Sequence, residues 1–255
     1  MRHKLGTIAY YTFLEAISNR LFMLSLTGLV CLFGLAEFAG ELSITETRQI
    51  QAVLVASITR WFLVITCALF VITSMIRETN DKGIELILSL PVSKTSYYFG
   101  KFCGFICLAT VILGLSSLLL LLYASPIALL YWLFSLLCEM AIIIAVSMLF
   151  LFTFSNITVA FMAVLAFYIL SRSIASIQLL STSPILESTS YSQHFMNFLV
   201  DAIAYVLPDL DAFTRSDWLL YGTDSSALSF VLVQTIIYLA ILFAAGLFDI
   251  YRKEL

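Results

Sequence analysis

The sequence predicts an all-α integral membrane protein with six transmembrane helices. The first observation is composition, because 62% of the 255 residues are hydrophobic and 11% are charged, with a mean hydropathy of +1.04. A water-soluble domain has too little interior to bury so many apolar side chains, so the expected surroundings are membrane lipid. The second observation is that the apolar residues fall in stretches close to the ~20 residues that cross a bilayer.

The predicted spans follow one another along the chain, and residues 1–255 are interpreted as a single transmembrane domain. The spans cover residues 21–39, 59–76, 99–123, 127–152, 157–170 and 228–248. Spans three and four are separated only by residues 124–126, a tight reversal that predicts two antiparallel neighbouring helices.

Residues 1–20 mix charged and apolar side chains instead of forming one unbroken apolar stretch. The mixture does not fit a cleavable signal peptide. Its helical spacing predicts an amphipathic helix in the membrane interface, with Lys4, Glu15 and Arg20 in contact with water or headgroups. The alternative interpretation is a cytoplasmic extension of the first span.

Lysine and arginine are concentrated on one side of this topology. Positive charge near span ends is retained in the cytoplasm, so the distribution predicts that both termini are cytoplasmic. The cytoplasmic set is Arg2, Lys4, Arg20, Arg77, Lys82, Lys94, Lys101, Arg252 and Lys253, and the external set is Arg48, Arg60, Arg172 and Arg215.

The same topology places residues 171–227 outside, where we expect short external helices between spans five and six. The segment is acidic, with Glu187, Asp201, Asp209, Asp211, Asp217 and Asp224. Apolar residues from Phe195 to Leu207 recur at helical spacing, which predicts an amphipathic helix. A second apolar cluster around Phe213 and Trp218 is interpreted either as dipping into the membrane interface or as capping the helix bundle.

Residues 77–98 are predicted to form a cytoplasmic loop with a short helix of its own. Asp81 is placed to cap this helix, whose apolar run is too short to span a membrane, and Pro91 ends it. Ser93 is predicted to cap the next helix, which continues into span three. Exposed leucine and isoleucine side chains on the short helix need a partner. The predicted docking residues are Glu78, Gly83, Ile84, Glu85, Leu86, Ile87, Leu88, Ser89, Leu90, Pro91 and Ser93, with 84–90 as the contact.

This loop resembles the cytoplasmic segment of ABC-2 type transporter permeases, in which ELLLSLPVSR lies between an upstream glutamate and glycine and a downstream Gly-Lys pair. The matching residues are Glu78, Gly83, Glu85, Leu86, Leu88, Ser89, Leu90, Pro91, Val92, Ser93, Gly100 and Lys101, and Lys94 stands in place of the usual arginine. The family's amphipathic helix before the first span is similar to this chain at Glu15, Ala16, Asn19, Arg20 and Leu21. Its fourth-span ending is similar at Leu151, Phe152, Phe154, Ser155 and Asn156. The likeness covers essentially the whole chain and is closest to permeases grouped with multi-copper enzyme maturation.

The resemblance implies the permease subunit of an ATP-driven ABC transporter in the bacterial cytoplasmic (inner) membrane. It implies a homodimer or paired half-transporter with two separate ABC ATPase subunits, each of which receives the loop helix as a coupling helix. ATP and magnesium would bind to the ATPase. This chain has no G-x-x-x-x-G-K-[ST] phosphate loop, so we expect it not to be an enzyme and not to bind a cofactor of its own. The expected substrate is amphipathic or lipid-like.

Two other functional classes were weighed against this interpretation. An ABC-coupled assembly or maturation factor would act mechanically on a periplasmic or extracellular accessory protein, with the acidic external segment as its working surface. A membrane-bound enzyme is disfavoured because His3 and His194 lie outside the spans on opposite sides. A net charge of -3 without a basic stripe gives no support for nucleic-acid binding.

Glu139 lies about twelve residues into span four, roughly 18 Å from its outer end at ~1.5 Å per residue, near the bilayer centre. An ionised carboxylate is costly at that depth. Glu139 is therefore interpreted either as a protonated or hydrogen-bonded group that fixes helix packing, or as a group on a substrate path or dimer seam. Arg60 and Arg172 lie nearer the outer ends, and we expect them to reach the interface or to pair with Glu37 or the external acids.

The cysteines fall within apolar stretches, without a CxxC pair or a histidine neighbour. This setting predicts buried packing for Cys31, Cys67, Cys103, Cys107 and Cys138. Cys103 and Cys107 share a helix face, so a soft metal ion bound by two thiolates is the alternative for that pair.

Overall fold

The computed structural model describes residues 2–42, 47–80, 93–154, 156–182, 191–222 and 225–252, and within these ranges it is helical without a strand. The helices are α1 (Arg2–Ser18), α2 (Arg20–Leu42), α3 (Thr47–Asn80), α4 (Lys94–Leu120), α5 (Pro126–Phe154), α6 (Ile157–Thr182), α7 (Tyr191–Val206), α8 (Asp217–Tyr221) and α9 (Ser225–Arg252), with a 3-10 turn at Leu210–Ala212. Helices suit a lipid environment because they satisfy their backbone polar groups internally.

Five helical stretches are long and apolar enough to cross a membrane. They are Gln51–Asn80, Lys94–Leu120, Pro126–Phe154, Ile157–Leu179 and Ser226–Arg252. Four of them contain a predicted span in full, and Lys94–Leu120 ends three residues before the predicted end of span 99–123. The remaining predicted span, residues 21–39, falls in α2. The helices α1 and α2 meet at an angle of 61°, and the count reaches six when this bent pair is taken as one span. The apolar helical architecture predicted from the sequence is therefore confirmed.

The N-terminal helix α1 packs along α4 rather than continuing straight into α2. Two glycines of α4 allow the close approach, because a Cβ on Gly100 would lie 2.8 Å from Ile8 Cγ2 and a Cβ on Gly104 would lie 2.9 Å from the Ala9 carbonyl oxygen. Small residues at this spacing let two helix backbones meet. The helix predicted at residues 1–20 is thus separate from α2, because its axis is bent away from that of α2 by 61°, and it lies against the first half of α4.

Helix α5 lies at the centre of the bundle and packs against α3, α4, α6 and α9. Every residue of α5 from Cys138 to Met148 is buried. A helix that is apolar on all sides is typically enclosed by other helices, as this one is. The tight reversal predicted at residues 124–126 is confirmed, since α4 ends at Leu120, α5 begins at Pro126 and the two helices pack together.

Helix α6 continues through Thr182 and so includes the first residues of the 171–227 segment that is predicted to be external. The predicted amphipathic helix is confirmed as α7. After α7 the chain turns back, and Leu210, Phe213 and Trp218 join the main hydrophobic core of the bundle. Of the two interpretations of this apolar cluster, the structure supports the cap on the bundle.

Candidate functional site

The first candidate is a group of charged side chains where α1, α3 and α4 meet, at the base of the predicted docking loop. We call Glu15, Ser74, Glu78 and Lys101 the loop-base junction. Lys101 Nζ lies 2.5 Å from Glu78 Oε2 and 3.8 Å from Glu15 Oε2. Lys101 is only 4% exposed, so its charge is balanced by carboxylates rather than by water.

The loop-base junction connects three helices to one another. The Ser74 hydroxyl donates to Glu15 Oε1 at 3.2 Å, which joins α3 to α1. The ion pair between Glu78 and Lys101 joins α3 to α4. Because α3 leads into residues 81–92 and α4 leads out of them, this pair ties together the two ends of the predicted docking loop.

The predicted docking residues fall into two groups. Glu78 belongs to the loop-base junction, and Ser93 is the N-cap of α4, where its hydroxyl oxygen accepts a hydrogen bond from the Ser96 backbone N–H at 3.3 Å. The predicted cap is therefore confirmed. The others lie outside the described residues, namely Gly83, Ile84, Glu85, Leu86, Ile87, Leu88, Ser89, Leu90 and Pro91.

The second candidate surrounds Glu139 in the interior of α5. We call the following residues the buried polar cluster: Arg60, Trp132, Ser135, Glu139, Tyr168, Arg172 and Thr214. The Glu139 side chain is fully buried. Its Oε1 accepts from the Tyr168 hydroxyl at 2.9 Å and lies 3.6 Å from Arg172 Nη1. Its Oε2 accepts from the Thr214 hydroxyl at 2.7 Å.

Thr214 is the point at which the segment after α7 enters the buried polar cluster. Its carbonyl oxygen accepts from Arg60 Nη1 at 3.1 Å and from Trp132 Nε1 at 3.3 Å, and its backbone N–H donates to Ser135 Oγ at 3.1 Å. Thr214 has a φ of 45°, a left-handed conformation that is unusual for a β-branched residue. Such a conformation costs about 1–3 kcal/mol, and it persists when surrounding contacts hold it in place.

Arg172 holds the same segment from α6. Its Nη1 donates to the carbonyl oxygens of Leu210 at 2.8 Å and Phe213 at 3.4 Å, and to Thr214 Oγ1 at 3.3 Å. The predicted pairing of Arg60 and Arg172 with Glu37 or the external acids is not found in the described part of the chain. Arg172 instead pairs with Glu139, and Arg60 donates to the Thr214 carbonyl oxygen. Both guanidinium groups face the protein interior, where burying a charge requires polar partners.

The contacts of Glu139 match the packing interpretation, since its hydrogen bonds join α5 to α6 and to residue 214. Sequence reasoning missed Thr214 and Tyr168 as its partners. One available signal was that Glu139, Arg60 and Arg172 are all ionisable residues in apolar helices, where such groups usually pair with each other. That rule would have indicated the ion pair with Arg172 but not the threonine.

No group of three or more histidine, cysteine, aspartate or glutamate residues in the described part of the chain is placed to hold a metal ion. Cys67 and Cys138 are buried as predicted, whereas Cys31 and Cys107 are exposed, so the packing prediction is wrong for those two. Cys103 is partly buried.

Comparisons with protein-family models and with curated proteins find no match to this chain.

Proposed function

We propose that the chain is the transmembrane permease subunit of an ATP-driven ABC transporter. The observation that carries the proposal is the ion pair between Glu78 and Lys101 at the base of the loop. These are the first and last residues of the sequence pattern that resembles ABC-2 permeases, and their contact brackets the predicted coupling helix, residues 84–90. When a partner displaces a docking segment whose two ends are joined in this way, the displacement is transmitted to several helices at once.

In this proposal the chain works in the bacterial inner membrane with both termini in the cytoplasm. Two copies, or one copy and a second half-transporter, bind two ABC ATPase subunits, which hold ATP and magnesium. Closure of the ATPases displaces the coupling helix, and the loop-base junction transmits the displacement to α1, α3 and α4. The helices then export or flip an amphipathic or lipid-like substrate.

The test is co-purification of the full chain with a soluble P-loop ATPase encoded beside it, followed by measurement of ATP turnover. Leu86→Asp and Leu88→Asp place a charge on the apolar docking surface. We expect each to reduce complex formation by about tenfold or more, since a loss of about 1.4 kcal/mol is sufficient for that factor. Permease-stimulated ATP turnover should fall in parallel.

The matched control is Leu199→Asp, which introduces the same charge at an exposed leucine of α7, away from the loop. It should leave the complex and its ATP turnover unchanged. If the complex and its turnover survive Leu86→Asp and Leu88→Asp intact, the docking assignment is wrong.

A second candidate function is an ABC-coupled assembly or maturation factor that acts on a periplasmic or extracellular partner. The exposed apolar face of α7 favours it, because Phe195, Phe198 and Tyr205 are uncovered and Tyr205 is 91% exposed. An uncovered apolar surface outside the bundle suits a protein partner. Export of a fluorescent lipid by the purified complex in vesicles that contain no accessory protein would contradict this candidate.

A further inference from the structure

The buried polar cluster contains more positive than negative charge. Arg60 and Arg172 supply two guanidinium groups, which remain protonated in proteins, and Glu139 supplies the carboxylate. Arg172 lies 3.6 Å from this carboxylate, whereas no carboxylate in the described part of the chain forms an ion pair with Arg60. Arg60 is only 7% exposed, so water does not balance its charge. The cluster therefore holds two guanidinium groups and one carboxylate.

Arg60 also retains an unused hydrogen-bond donor. Its Nη1 donates to the Thr214 carbonyl oxygen, but its Nε is buried and has no hydrogen-bond partner. A guanidinium presents its N–H groups as a planar fork that matches a carboxylate or a phosphate. The side chain therefore has both the charge and the free donor that an anion requires.

Both guanidinium groups donate hydrogen bonds to backbone carbonyl oxygens of residues 210–214. Arg60 binds the Thr214 carbonyl oxygen, and Arg172 binds those of Leu210 and Phe213. These carbonyl oxygens accept hydrogen bonds from the same N–H groups that would bind an anion. Unlike the oxygens of an anion, they carry no full negative charge. The left-handed φ of 45° at Thr214 indicates that the contacts hold the segment in an unfavourable conformation. An anionic oxygen, which is a stronger hydrogen-bond acceptor, can therefore displace residues 210–214 from the two arginines.

We propose that Arg60 and Arg172 form a binding site for one anionic group, a phosphate or a carboxylate, which residues 210–214 occupy in this structure. Leu210, Phe213 and Trp132 are buried beside the site and would line a path for an apolar chain once the segment moves. The ligand is an anionic amphiphile, such as an acidic lipid. Its role as the transported substrate rests on the proposed function, whereas its binding does not.

The test compares two soluble lipids with the same acyl chains, dihexanoyl phosphatidylglycerol and dihexanoyl phosphatidylcholine. Their binding to the full chain, purified in neutral detergent, is measured by isothermal titration calorimetry. We expect the anionic lipid to bind at least about tenfold more tightly, the effect of one charge-assisted hydrogen-bonded contact. Equal affinities for the two lipids would overturn the proposal.

Substitutions that remove a positive charge and a negative charge should have opposite effects on anion binding, which distinguishes a binding site from a purely structural cluster. Arg60→Gln should weaken phosphatidylglycerol binding by about tenfold. Glu139→Gln should strengthen it, because the competing negative charge is lost. The amide oxygen can still accept from one of the Tyr168 and Thr214 hydroxyls, and the amide NH2 group can donate to the oxygen of the other. The control Arg215→Gln, at an exposed arginine next to the segment, should change neither affinity. If Arg60→Gln and Glu139→Gln only lower thermal stability and leave lipid selectivity unchanged, the proposal fails.

Inorganic phosphate distinguishes the two sources of the anionic group. Competition by phosphate supports a site for a free anion, and phosphatidylglycerol binding that phosphate does not affect supports a lipid headgroup as the ligand. If neither probe binds, there is no anion site. Because the assay contains no ATPase, its outcome is independent of the docking experiment, and failure of one proposal leaves the other standing.

Discussion

Replacement of Gly104 by alanine tests the packing of α1 on α4, which positions α1 at the loop-base junction. The new Cβ would lie 2.7 Å from Thr12 Cβ and 2.9 Å from the Ala9 carbonyl oxygen. The second contact is with backbone, so no rotation of a side chain relieves it. The two helices must move apart, and the contacts between them are loosened along their length.

The expected free-energy change follows from two opposing effects. Alanine gains about 1 kcal/mol over glycine within a helix. Overpacking at a close contact costs about 1–3 kcal/mol, and the backbone contact places Gly104→Ala at the upper end of that range. The net result is a loss of about 1–2 kcal/mol in the free energy of unfolding.

Gly114 provides the matched control on the same helix, because a Cβ built there meets nothing within 4 Å. Gly114→Ala should be neutral or should stabilise the protein by up to about 1 kcal/mol. The two variants should therefore differ by about 1–3 kcal/mol, or roughly 2–12 °C in the thermal unfolding midpoint for a chain of this size. Thermal unfolding in detergent measures the difference, and equal midpoints for the two variants would refute the close helix contact.

Two further substitutions test the ends of the loop. Lys101→Met should destabilise the protein by about 3 kcal/mol, because Glu78 loses its partner while Glu15, at 38% side-chain exposure, can still reach water. Adding Glu78→Gln removes the unpaired charge and should restore part of the lost stability in the same thermal assay. No recovery in the double variant would contradict the ion pair between Glu78 and Lys101. Ser93→Ala should cost about 1 kcal/mol by removing the N-cap of α4, whereas Ser93→Thr, which keeps the hydroxyl, should cost much less; equal losses would argue against the cap.

The parts of the fold that follow from neighbouring residues were predictable. An apolar run of sufficient length becomes a helix in lipid because its backbone has no other partner. The helices α3, α5, α6 and α9 each contain a predicted span, and α4 covers all but the last three residues of another. The cap at Ser93 was also predictable from neighbouring residues, because its hydroxyl oxygen accepts a hydrogen bond from the backbone N–H of Ser96, only three residues away. The contact between Lys101 and Glu78 was not predicted, although both residues belong to the pattern that resembles ABC-2 permeases.

By itself, the sequence determined that this chain is a bundle of apolar helices and where most of those helices lie. Only the tertiary structure decided that Arg60 and Arg172 face inward and that Thr214 meets Glu139, a residue 75 positions earlier in the chain. The physical reason is that an apolar helix carries no amphipathic stripe to indicate which side faces lipid and which faces protein. The direction of a buried charge is then set by the neighbours that can satisfy it, and those neighbours come from distant segments.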